Sequence, residues 1–137
     1  MTDKTEDYME LYKKNHFEVD DVIFSFDDIP ESKLFSKRFA ILTAWNPKNN
    51  PTNEVINAQN NEQLVKELQH MDLTFDSAEG YLGDHIEESY CVYDISFIKA
   101  IELGKKFHQY SIFYNDIKSL GYYNVNTSKA ILVKSHV

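Results

Sequence analysis

Seven consecutive residues, Phe39 to Trp45 (FAILTAW), are almost all apolar, and Asn46 and Pro47 end the run. A short apolar run bounded by turn residues fits a strand covered on both faces. Proline has no N–H to give to a ladder, and asparagine turns the chain through its own side chain. The strand must therefore stop at Asn46 and give way to a polar loop, PKNNPTN (47–53). The rest of the chain is read as whatever completes a sheet around that strand.

Residues 3–15 predict a short peripheral helix, with Tyr8, Leu11 and Tyr12 at i, i+3 and i+4. FEVDDVIFSF (17–26) has strand composition. Phe17 and Val19 are expected on one face and Val22, Phe24 and Phe26 on the other, with a bulge or turn at Asp20-Asp21. After the central strand, Leu64, Leu68 and Met71 fall at i, i+4 and i+7, and Asn60 with Gln63 resembles a capping box. If Val55 and Ile56 extend that helix backward, Asn57 and Asn61 share a face with Leu64 and Leu68.

Leu73–Phe75 predicts a short strand, DSAEGYLGD (76–84) a turn-rich link, and SYCVYDI (89–95) the next strand. Ser96 can cap a helix running to Phe107. Gly104 in its middle costs about 1 kcal/mol against alanine, which is tolerated best where a helix packs close to a sheet. Gln109–Tyr114, Ile117–Tyr123 and Ala130–Val133 predict the last three strands, with NVNTS (124–128) as a turn. The fold expected for residues 1–137 is one α+β domain. It has a mainly antiparallel sheet, two main helices on one face and an N-terminal helix, and is compatible with a ferredoxin-like split βαβ core.

Charge narrows the partners. Fourteen Lys and Arg against 22 Asp and Glu give a net charge of −8, with the basic residues dispersed. Nucleic acid and anionic membrane surfaces both need clustered cations, so neither is an expected partner. The single cysteine, Cys91, excludes an intrachain disulfide and reads as a small buried hydrophobe. No apolar run approaches twenty residues, and the acidic N-terminus is not a signal peptide, so a cytoplasmic location is expected. No P-loop and no G-x-G-x-x-G is present, and no cofactor is expected. Asp84, His85, Glu87 and Glu88 cluster without the spacing of a known metal motif, and read as a solvated turn.

Taken in order, ILTAWNP, Asn57 ahead of Leu64 and Leu68, the Glu88-Ser89 step and LGKKFHQYSIFY (103–114) resemble the DUF3293 family of small bacterial proteins. The resemblance covers about residues 36–115. It implies a bacterial origin and kinship of fold, and no activity. It marks Thr43, Asn46, Asn57, Glu88, Ser89 and Gln109 as the polar positions that match.

Those residues define the candidate site. Asn46 closes one strand, Glu88 and Ser89 open another, and Gln109 opens a third. If these ends converge, amide, hydroxyl and carboxylate groups line a pocket walled by Trp45, Tyr90 and Phe107. Thr43, Trp45, Asn46, Asn57, Glu88, Ser89 and Gln109 would then bind a small polar ligand or a protein partner. The same residues also have purely structural uses, as turn, cap and backbone partner. The alternative function is a small hydrolase with Glu88 as acid or base and Asn46 and Gln109 as positioning groups. A homodimer through the strand edge at ILVKSHV is a further expectation.

Overall fold

The computed structural model describes residues 15–46, 52–82 and 85–133. The chain is α+β. Strands β1 (His16–Val19), β2 (Val22–Ser25), β3 (Phe39–Leu42), β4 (Phe75–Leu82), β5 (His85–Tyr93), β6 (Ser111–Asn115), β7 (Leu120–Asn124) and β8 (Ala130–Leu132) form one sheet. Its order is β2-β1-β4-β5-β3-β6-β7-β8, and each neighbouring pair is antiparallel. Helix α1 (Glu54–His70) links β3 to β4, and α2 (Phe97–Lys106) links β5 to β6.

All four residues of β3 are buried, which accounts for its unbroken apolar sequence. Ala40 and Leu42 face the helices, packing with Val92, Ile112 and Tyr114 against Leu64 and Leu68 of α1 and Ala100, Ile101 and Leu103 of α2. Phe39 and Ile41 face the other way, into a core with Phe17, Val19, Phe24, Phe26, Cys91 and Phe113. In that second core the Phe17 ring lies 5.2 Å from Phe113 and 6.2 Å from Tyr122. Three strands separate β1 from β6 in the sheet, so the sheet curls until its N-terminal hairpin covers its far half. Among the described residues, no helix is long and apolar enough to cross a membrane.

Several expectations change. The N-terminal helix lies outside the described residues apart from Asn15, which is not helical. Asp20 and Asp21, at φ 47° and 69°, make a two-residue hairpin turn. That turn sets Phe17 opposite Phe24 and Val19 opposite Val22, so both sets face the same core and not opposite faces. The expected link at 76–84 is largely strand β4. Its Ala78 and Gly80 pair with Val19 and Phe17 of the neighbouring β1, and the Phe17 ring packs over Gly80. Helix α1 begins at Asn53, whose side chain accepts from the Ile56 N–H, so Asn60 lies within the helix and caps nothing. Ile117 precedes β7 in a loop, at φ 82°.

Gly104 sits where α2 meets β6. A Cβ there would come within 2.7 Å of Val125 and 2.9 Å of Ile112. The close approach expected of a mid-helix glycine is therefore present.

Candidate functional site

The β3–β5 ladder stops at Leu42 opposite Tyr90. In the same register Ala44 would next meet Glu88, and here a side chain intervenes. Asn61 accepts from the Ala44 N–H (2.8 Å) and donates to the Glu88 carbonyl (2.8 Å). One helical turn earlier, Asn57 accepts from the Asn46 N–H (2.8 Å) and donates to the Asn46 side-chain oxygen (2.8 Å). Both asparagines are almost fully buried, at 1% and 2% exposure. A step of four residues advances a helix by about 6 Å, and a step of two advances a strand by about 6.6 Å. Two asparagines on one face of α1 therefore reach alternate peptide groups of the chain leaving β3.

The other matching residues join the same knot. Thr43 donates to the Glu88 carbonyl (2.8 Å) and accepts from the Trp45 N–H (3.1 Å). Gln109 donates its amide to the Trp45 and Phe107 carbonyls, both at 3.2 Å. Asn46 adopts φ 44°, a left-handed conformation that asparagine tolerates, and its side-chain oxygen also accepts from the Thr52 N–H. Thr43, Trp45, Asn46, Asn57 and Gln109 are thus gathered in one place, largely by satisfying backbone groups. Asn61 belongs with them.

Beside the knot, the open end of the curled sheet forms a cleft of about 60 Å3. Thr43, Glu87, Ser89, Gln109 and Ser111 supply its polar lining, and Phe17, Phe113 and Tyr122 its rings. Trp45, Tyr90 and Phe107 are not its walls. Tyr90 and Phe107 pack against the helix-side core, and Trp45 takes part through its backbone.

The carboxylate also changes. Residues along β5 alternate between faces, so Glu87, Ser89 and Cys91 point into the curl while Glu88, Tyr90 and Val92 point away. The Glu88 side chain is exposed and its carbonyl is what the knot uses. Glu87 is half-buried, and Asn46 Nδ2 stands 3.5 Å from its Oε1. Burial pushes the Glu87 carboxyl up to about 7, and the Asn46 amide opposes that rise only in part. Ser89 is buried and donates to the Glu87 carbonyl (3.2 Å). Sequence reasoning missed Glu87 although it lies two residues from Ser89. That period-two relationship was the available signal. Asp84 lies outside the described residues, and no group of three or more potential metal ligands occurs among the described ones.

Neither the curated proteins nor the solved structures give a match to this chain. The family described as "Protein of unknown function (DUF3293)" matches residues 42–112, a stretch that holds the whole knot of polar residues and just over half of the chain. The chain belongs to that family.

Proposed function

We propose that this is a small-ligand-binding domain of the bacterial cytoplasm. Its ligand enters the open end of the curled sheet, where Glu87, Thr43, Ser89 and Gln109 meet. One observation carries the reading: a half-buried carboxylate lines a cleft to which no Lys, Arg or His among the described residues contributes. A buried carboxyl without a cation is costly, and such groups concentrate at sites where something binds. At about 60 Å3 the cleft is small, and it takes the head group of a ligand while the rest stays outside.

A thermal-shift series on the wild type and Glu87→Gln, with amino acids, nucleosides and small polar compounds, tests this. Stabilisation of the wild type that weakens in the variant supports it. Equal responses from both proteins across the whole series refute it.

A second reading is the small hydrolase, with Glu87 taking the role first given to Glu88. A carboxyl pushed to about 7 is suited to general acid–base work near neutral pH. Against it, both N–H groups of the Gln109 amide are already committed to carbonyls. The core β3-α1-β4-β5-α2-β6, with strands ordered β4-β5-β3-β6, supports reading the domain as a ferredoxin-like split βαβ with added hairpins.

A further inference from the structure

We infer that the group taken into the cleft is a primary alkylammonium, held by the Glu87 carboxylate and the rings of Phe17, Phe113 and Tyr122; this rests on the ligand-binding reading above. The argument is an inventory of donors and acceptors. Ser89 spends its hydroxyl proton on the Glu87 carbonyl, and Thr43 spends its own on the Glu88 carbonyl. Gln109 commits both N–H groups of its amide to the Trp45 and Phe107 carbonyls, which leaves its oxygen. Ionised Glu87 only accepts. What these four side chains still offer a ligand is therefore acceptors. Groups that satisfy acceptors and offer none of their own are the ammonium and the guanidinium, and the small cleft favours the more compact ammonium.

The remaining lining agrees. Phe17, Phe113 and Tyr122 are in mutual contact, with centroid separations of 5.2, 6.2 and 5.0 Å. Ring faces are electronegative and attract a desolvated cation. An anion would meet the Glu87 carboxylate with no cation beside it among the described lining residues. A neutral amide could set its oxygen on the Ser111 hydroxyl, the fifth polar group of the lining, but would leave the Glu87 charge without a counterion. The small volume admits one charged head and leaves the rest of the molecule outside.

The test uses the full chain and methylammonium chloride, with sodium chloride, acetamide and tetramethylammonium chloride as matched controls. Binding is followed by amide chemical shifts and by thermal stability. The expected result is saturable binding of methylammonium, weakened about tenfold or more in Glu87→Gln. Gly80→Ala provides a second variant. Its added Cβ would lie 3.5 Å from the Phe17 ring, an ordinary contact, so the fold should stand while the cleft narrows. It too should weaken methylammonium.

Methylammonium binding that both variants leave unchanged overturns the inference. So does acetamide or tetramethylammonium binding as tightly as methylammonium. In those control outcomes a small ligand still occupies the cleft and the broader reading stands. If none of the probes, and nothing in the wider thermal-shift series, perturbs residues around Glu87, both fall together.

Discussion

Asn57 returns to Asn46 the bond it receives from it: the Asn46 N–H reaches Asn57 Oδ1, and Asn57 Nδ2 reaches Asn46 Oδ1, each at 2.8 Å. Asn61 does the parallel work one turn on, between Ala44 and Glu88. The two side chains thereby hold the chain leaving β3, whose Thr43 lines the cleft.

Alanine at position 61 would strand the buried Ala44 N–H and remove a partner of the Glu88 carbonyl. Each unsatisfied buried group costs about 1–3 kcal/mol. Asn61→Ala should therefore lower stability by roughly 2–4 kcal/mol, and Asn57→Ala by a similar amount. Urea unfolding measures both. Losses under about 0.5 kcal/mol, the level of an ordinary surface change, would show that the asparagines do not hold this chain.

Asn61→Asp separates donor from acceptor. The aspartate still accepts from Ala44, but an anionic oxygen now faces the Glu88 carbonyl. Protonation restores a donor, so the folded pKa of this aspartate is raised above its unfolded value near ~3.9. The deficit relative to wild type should be smallest below that unfolded pKa and grow as pH rises through the raised one. Parallel melts of the two proteins at pH 4 and pH 8 read it directly, and a pH-independent deficit would contradict it.

Glu87 predicts a pH dependence of the native protein. Its folded pKa, about 7, lies above that of an unfolded glutamate, near ~4.3. Between those values the folded chain holds a proton that the unfolded chain has released. Stability from this group is present below the lower value and lost as pH approaches 7. Glu87→Gln removes the effect, so the variant should gain on wild type between pH 5 and pH 8. The gain expected is on the order of 1–2 kcal/mol once partial exposure is discounted. Parallel denaturant curves that stay a constant distance apart would refute the shift.

Gly104→Ala sets two effects against each other. Alanine improves helix propensity by about 1 kcal/mol. Its methyl would press on Val125 and Ile112, both buried and branched, at under 3.0 Å. Overpacking of this kind costs about 1–3 kcal/mol. The variant should be destabilised by roughly 1–2 kcal/mol, and Gly104→Ala with Val125→Ala should be less than additive. A stabilised single variant would mean that α2 can slide away from the sheet.

What could be read in the sequence was whatever depends on local pattern. The all-apolar Phe39–Leu42 run announced a strand covered on both sides, and Leu64 and Leu68 announced the inner face of α1 with Asn57 and Asn61 above them. Strand β4 was lost because Ser77, Ala78 and Gly80 look like turn residues. Ala78 and Gly80 are small where they face the core beside β1, with the Phe17 ring over Gly80, which is a long-range fact. Glu88 was preferred to Glu87 for a related reason. Alternation along β5 separates the two faces, but with apolar Cys91 and Val92 on opposite sides it does not say which face holds the cleft. The curl that brings Phe17 onto Phe113 has no local signature.

The carboxamide between Ala44 and Glu88 also works as a spacer. Two peptide groups that would otherwise bond directly are kept one side chain apart, so the sheet cannot zip closed at this end. A larger or smaller residue at position 61 would reset that gap, next in the chain to Glu87. The spacing at the end of β3 is thus set by a helix on the opposite face of the sheet.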